Sequence, residues 1–287
     1  MIRFTIALLC AAALTGAGLG YGECAKANKM PTNLYLIALM GQSNMVGGGK
    51  LSDLPPGFPS NPAKLWNFTN AYKWEPAKEP IHSPVGQIDV VSLNRRAGVG
   101  PSLALADAFV SAHPSTSVGL IPCAKGATSI LDWQKQHTTQ PRSTLFGSCV
   151  KRIKAVSRAN GTVRAVIFWQ GGADARKQKD AVIWKDRFTT FVADLRADLG
   201  NPNLPIVLPI IEMQTKAAKK REPYWEIVRD QQRSVDIPGV IKIETGGYER
   251  KEDGIHFTTK GQLAFGAKLA RSLPEPGLGH EAQSVRP

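Results

Sequence analysis

Five stretches of the chain are near-continuous apolar runs bounded by turn residues: Leu34 to Met40, Val118 to Cys123, Val163 to Trp169, Pro205 to Ile211 and Val240 to Ile243. A strand with one face in water alternates apolar and polar side chains. Runs without alternation therefore predict strands buried on both faces, as in a parallel sheet covered by helices on each side. The intervening segments carry helical spacing. Leu145, Cys149, Ile153 and Val156 make one apolar stripe, and Trp184, Phe188, Phe191, Leu195 and Leu199 make another, which Gly200 and Asn201-Pro202 terminate. Pro101 suits the first turn of a helix carrying Leu103, Ala106, Phe109 and Val110, and a last helix is expected from Thr258 to Leu273. The expected fold is α/β: a single-domain three-layer α/β/α sandwich around a mostly parallel five-stranded sheet, with functional loops at the carboxyl ends of the strands. The segment from Lys50 to Val99 lacks clear periodicity and reads as an elaborated loop region over that end.

The two ends of the chain read differently. Met1-Ile2-Arg3 supplies a positive start, Phe4 to Leu14 an apolar centre and Gly16 to Ala27 a small-residue stretch, so residues 1–27 are expected to be a cleaved export signal. That predicts a periplasmic or secreted protein, and the short signal suits a bacterial source. Residues 274–287 read as a disordered tail, which leaves 28–273 as the domain. Charged residues interrupt every long apolar run after the signal, so no bilayer-spanning segment is expected. A formal net charge of +13 would suit acidic polysaccharide, anionic membrane or nucleic acid. The densest cationic run, Lys216 to Arg221, has no interleaved aromatic and reads as a solvated helix face, so nucleic acid is not an expected partner. His82, His113 and His137 show no ligand spacing, and neither a metal nor another cofactor is expected. Oligomeric state is not legible. Removing the signal takes Cys10 and Cys24. Cys123 and Cys149 remain, either as a disulfide contributing about 3 kcal/mol through loop closure or as two buried free thiols.

Ser43 directly follows the first apolar run, and Asp253-Gly254-Ile255-His256 lies between the last strand and the last helix. A serine hydroxyl becomes a useful nucleophile when an imidazole takes its proton and a carboxylate fixes that imidazole. In a doubly wound sheet, loops after the first and last strands can converge to make that arrangement. Taken singly, a turn serine is more often a helix cap, and Asp-x-x-His recurs by chance.

Several segments together carry more. Gly41-Gln42-Ser43-Asn44-Met45, Gly98-Val99-Gly100-Pro101, Ile121 to Ile130 with Trp133, Trp169-Gln170-Gly171, and Asp253 to His256 with Phe257-Thr258-Thr259-Lys260-Gly261 resemble the sialate O-acetylesterase and acetylxylan esterase group. This is carbohydrate esterase family six of the SGNH hydrolases, and the match runs from Leu34 to about Leu273. The resemblance implies a flavodoxin-like sandwich and a cofactor-free serine esterase that acts on O-acetylated carbohydrate (xylan, sialic acid or a related glycan) through an acetyl-enzyme. Ser43 would be the nucleophile, His256 the general base and then acid, and Asp253 the orienting carboxylate. The oxyanion donors would be the Ser43 N–H, the Gly100 N–H with Gly98 as its alternative, and the Gln170 side-chain amide. Gln42 and Asn44 are carried as substrate-binding candidates. One departure stands out: the family usually continues Gln-Gly with Glu, a small residue and Asp, whereas this chain has Gly171-Gly172-Ala173-Asp174. The acid is absent at Gly172, and Asp174 is expected to be structural. Trp66, Trp74 and Trp133 either stack on sugar or belong to the core. The rival readings are a carbohydrate-binding protein on an esterase scaffold and an SGNH lipase or thioesterase with an apolar acyl channel.

Overall fold

The computed structural model describes residues 30–277 other than residue 214, and excludes the side chains of residues 158 and 159. The expected export signal, and the expected tail beyond residue 277, lie outside the described residues. Every one of the five apolar runs forms a strand, and two further strands arise between the first and second of them. In chain order these are β1 (Tyr35–Gly41), β2 (Leu65–Phe68), β3 (Trp74–Pro76), β4 (Val118–Pro122), β5 (Val163–Trp169), β6 (Ile206–Ile210) and β7 (Val240–Glu244). They make one sheet in the order β3-β2-β4-β1-β5-β6-β7, parallel throughout except for β3, which runs antiparallel to β2.

The sheet is thus seven-stranded rather than five-stranded, and the correction falls in the segment expected to be loop. Strands β2 and β3 are four and three residues long, too short to show a period. Their extended state is imposed from outside: Leu65, Trp66 and Asn67 pair with Val118, Gly119 and Leu120 of β4, and β3 then pairs with β2.

Alternation along the buried strands divides the core into two layers. Leu36, Ala38 and Met40 of β1, with Val166 and Phe168 of β5, pack beneath α3 (Leu145–Asn160), α5 (Trp184–Leu199) and α7 (Trp225–Arg233). Tyr35, Ile37 and Leu39, with Ala165, Ile167 and Trp169, face α2 (Ser102–Ala112) and α8 (Thr259–Ala270). Three short helices complete the chain: α1 (Ser43–Val46), α4 (Gln178–Ala181) and α6 (Lys216–Arg221). Helix α5 ends at Gly200 in the left-handed conformation, as the Gly-Asn-Pro stop requires.

From β1 the chain moves outward to β2 and β3 and returns to β4 beside β1, then crosses to β5 on the other flank. The reversal leaves a crevice at the carboxyl end of β1, the usual site location in such sheets.

Two alternatives left open by the sequence are resolved here. Cys123 and Cys149 are both free and buried; the Cys149 thiol donates to the Cys123 carbonyl at 3.7 Å, and burial pushes its pKa well up. Trp66 and Trp133 are core residues, and half-buried Trp74 donates its indole N–H to Asn160 Oδ1 at 2.9 Å, so none of the three is a bare stacking platform. At the boundary of the expected tail, the Tyr35 hydroxyl donates to the Pro274 carbonyl at 2.7 Å.

The β2–β3 flank is held to α3 by charge. Arg152 is fully buried and donates to Asp89 Oδ2 at 3.2 Å and to the Phe68 and Thr69 carbonyls at 2.7 and 3.2 Å. Asp89 also meets Arg142 at 3.4 Å and accepts from the Tyr72 hydroxyl at 3.0 Å.

Candidate functional site

Strand β1 ends at Gly41, whose φ of +119° and contact with the Trp169 carbonyl leave no room for a side chain. The chain then turns sharply. Gln42 N–H donates to the Trp169 carbonyl at 2.8 Å, and Ser43 begins the single turn of α1. Ser43 is half-buried at the head of this turn, and its N–H finds no acceptor among the described residues.

The partner loop follows β7. Asp253 Oδ1 accepts the N–H groups of Ile255 and His256, each at 2.9 Å, which folds the turn around the carboxylate. Gly254 at the corner has a φ of +68° and lies against Thr215, the N-cap of α6, so both conformation and space select glycine. Asp253 Oδ2 lies 2.6 Å from His256 Nδ1, and His256 Nε2 lies 2.9 Å from Ser43 Oγ. Burial works to raise the Asp253 carboxyl, but the hydrogen bonds from the His256 ring and from the two backbone N–H groups outweigh it and hold the pKa below the ordinary range. The Asp253 and His256 side chains are 33% and 29% exposed, so a substrate can reach the row from solvent.

Asn44 locks the two loops together. Its Nδ2 donates to the Ile255 carbonyl at 3.0 Å and its Oδ1 accepts from Phe257 N–H at 3.2 Å, gripping the backbone on both sides of His256. With only 8% of its surface exposed and these two bonds made, Asn44 is placed to position the histidine. Gln262 of α8 donates to the Asn44 carbonyl at 3.2 Å and supports the same junction. Gln42 is anchored through Oε1, which accepts from Gly171 and Ala173 N–H, both at 3.3 Å.

The expected oxyanion donors fare unevenly. Gln170 is fully buried; its Nε2 donates to the Thr128 carbonyl at 3.0 Å and to Asp174, and its Oε1 accepts from Trp184 Nε1 at 2.8 Å. That amide has no free proton to offer, because it staples the end of β5 to the Thr128 loop and to α5. Asp174 completes the staple by accepting from Ile130 N–H at 2.9 Å, and burial raises its pKa to about 7. Gly98 N–H is committed to the Gly47 carbonyl at 3.2 Å. Gly100 N–H is held only by a 3.4 Å contact to Glu79 Oε1, an acid that burial raises to about 8 and thereby weakens as an acceptor at neutral pH.

Among the described residues no group of three or more His, Cys, Asp and Glu side chains is disposed to hold a metal ion, and no helix is long and apolar enough to cross a membrane. A groove of about 730 Å³ runs along α3 and contains none of Ser43, Asp253 or His256. A cleft of about 510 Å³ borders Asp253, and its lining includes the charged side chains of Lys50, Asp53, Lys251 and Glu252.

Comparison with known proteins accords with this arrangement. A family model described as carbohydrate esterase, sialic acid-specific acetylesterase matches residues 31–275. A probable carbohydrate esterase of Arabidopsis thaliana is 31% identical over 257 residues, covering 85% of this chain and 91% of that protein. The X-ray structure of an Arabidopsis thaliana protein aligns with a TM-score of 0.72 at 30% identity, over 84% of this chain and 98% of that one. NanS shares the fold, with a TM-score of 0.64 at 15% identity over 85% of this chain and 97% of its own.

Proposed function

Since the chain belongs to the carbohydrate esterase, sialic acid-specific acetylesterase family, we propose that its site removes O-acetyl groups from carbohydrate through an acetyl-enzyme formed on Ser43. The observation that carries this reading is the unbroken row of hydrogen bonds from Asp253 through His256 to Ser43 Oγ, 2.6 and 2.9 Å long. Nε2 of His256 takes the Ser43 hydroxyl proton as Oγ bonds to the acetyl carbonyl carbon, while Asp253 keeps Nδ1 protonated and stabilises the imidazolium. The tetrahedral oxyanion is met by the uncommitted Ser43 N–H and by the loosely held Gly100 N–H. Collapse breaks the ester C–O bond, and the departing sugar oxygen takes the proton back from His256. Water, deprotonated by the same imidazole, then displaces Ser43 and releases acetate.

The substrate is an acetylated sugar of sialic acid, xylan or a related glycan. Charged and hydroxyl side chains beside Asp253, among them Lys50, Asp53, Lys251, Glu252 and Thr258, offer hydrogen bonds that a sugar can use and the long acyl chain of a lipase or thioesterase substrate cannot. Export through the N-terminal segment would bring the enzyme to such glycans outside the cell.

Rapid mixing with p-nitrophenyl acetate should give a nitrophenol burst equal to the enzyme present, with an acetyl adduct on the peptide containing Ser43. Full turnover by Ser43→Ala would reject the assignment. A panel of acetylated glycans and of longer acyl esters separates sugar-directed deacetylation from lipase chemistry, since a rate maximum at long chains would favour the latter.

A further inference from the structure

The space in front of Gly172 is taken by the ends of two side chains, Gln42 and Glu222. The φ of Gly172 lies outside the left-handed region, so its backbone makes no demand for glycine. A Cβ there would lie 2.9 Å from Gln42 Nε2 and 3.0 Å from Glu222 Oε2, both closer than side-chain carbons normally approach. The volume in front of residue 172 is already filled by an amide from the nucleophile turn and a carboxylate from the end of α6. Glu222 is 1% exposed, and its Oε2 is buried with no hydrogen-bond partner. Oε1 has only distant charges, Arg176 at 3.7 Å and Arg221 at 4.0 Å. Burial raises its pKa to about 7 against the pull of Arg176 and Arg221, with Asp253 adding to the rise. The segment carrying Glu222 starts at Thr215, which packs on Gly254 beside Asp253. A buried acid with one unpartnered oxygen thus stands beside Gly172 with the side chain of Gln42, on a segment whose start packs against the turn that carries Asp253.

We propose that Glu222 is a positioning residue of the esterase site: its carboxylate occupies the room that a side chain at position 172 would take, and holds the Gln42 and Asp253 loops in register around Ser43. Positions 172 and 222 therefore form a compensated pair, with the acid absent from Gly172 supplied by a residue of another loop. Gln42 adjoins Ser43 in the chain, its Oε1 accepts from Gly171 and Ala173 N–H, and its Nε2 shares with Glu222 Oε2 the space in front of Gly172, which is the route by which a change at Glu222 would reach the nucleophile turn. The inference rests on the esterase reading for its catalytic consequence, whereas the pairing of the two positions is a packing relation that stands without it.

The test is a double-mutant cycle in the full chain, read by p-nitrophenyl acetate kinetics. Glu222→Ala should lower kcat by about 10-fold or more while KM changes by less than about 3-fold, because the loss is of geometry and not of binding. Glu222→Gln, which keeps size and an acceptor, should lose no more than about 3-fold. Gly172→Glu places a second carboxylate in occupied space and should lose at least as much as Glu222→Ala. Gly172→Glu with Glu222→Ala should return to within about 3-fold of the parent instead of showing the product of the two losses. A double variant no better than either single, or a Glu222→Ala with parental kcat, would overturn the proposal. The same four melting temperatures, measured on a Ser43→Ala background, read the pairing without turnover. Coupling there with no ester hydrolysis by the parent would overturn the esterase reading and leave the pair standing. Hydrolysis by the parent with no coupling would overturn the pair alone.

Discussion

Asp89 and Glu222 are both buried acids at the junction of a helix with the loops beside it, yet they are treated in opposite ways. Asp89 meets Arg152 at 3.2 Å, Arg142 at 3.4 Å and the Tyr72 hydroxyl, so each of its oxygens has partners. Glu222 has no cation nearer than 3.7 Å, and one of its oxygens has no partner. The first cluster closes the flank that lacks a strong apolar pattern, where satisfied charge stitches β2 to α3. The second lies where loops from four strands converge on Ser43, and there the chain leaves an acid short of partners. Paired charge secures architecture, and incompletely paired charge marks the place where geometry serves chemistry.

That contrast can be broken by variants that separate rate from stability. Asp253→Asn should have the largest effect, a fall in kcat of about 10⁴-fold with little change in melting temperature, since the amide cannot hold the His256 tautomer that accepts the Ser43 proton. Steady-state kinetics at constant protein fold, checked by circular dichroism, measures it. Arg152→Ala should do the reverse: a loss of about 3 kcal/mol in urea unfolding, because buried Asp89 then keeps only Arg142 and the Tyr72 hydroxyl while the Phe68 and Thr69 carbonyls lose their donor, with the kcat of the remaining folded protein unchanged. A rate loss in that variant comparable to its stability loss would erase the distinction between the two regions. Asn44→Ala should fall between them, costing about 10²-fold in kcat because the His256 backbone loses its grip on both sides. A change confined to KM would instead make Asn44 a substrate contact.

The smallest effect concerns pH. Asp174 and Glu222 keep their protons in the folded chain to about pH 7, and in the unfolded chain they release them at the ordinary carboxylate value. Between those values the folded protein binds more protons, so these groups stabilise it in mild acid, and that contribution is lost as pH rises through about 7. Glu79, which burial raises to about 8, acts in the same sense, whereas burial holds the His82 ring neutral down to about pH 3, so His82 opposes the decline below its ordinary value of 6.5. The lowered carboxyls Asp253 and Glu244 oppose it in stronger acid. Melting temperature should therefore decline between about pH 6.5 and pH 8, and Glu222→Gln should flatten the slope. An unchanged slope in that variant would remove Glu222 from the balance.

Much of this arrangement was legible before any coordinates. Continuous apolar runs mark strands buried on both faces because burial itself selects the residues, and all five such runs are strands. Ser43 at the end of the first run, and Asp253 with His256 after the last, pointed to one crevice because sheet topology constrains where strand ends meet. What escaped was whatever depends on a distant partner. Leu65 to Phe68 becomes a strand only by pairing with β4. The amide of Gln170 looks available until Thr128, Asp174 and Trp184 are seen to occupy it. Glu222 is an ordinary residue in sequence, and its one advance signal was the glycine at position 172, whose meaning emerges only when the room in front of it is found filled.

The unbridged thiols of Cys123 and Cys149 carry a practical corollary. Among the described residues no covalent cross-link ties the three layers together, so their closure calls for no oxidant. Residues 28–287 produced in a reducing cytosol should therefore fold to the same domain as the exported protein, equally active and equally indifferent to dithiothreitol.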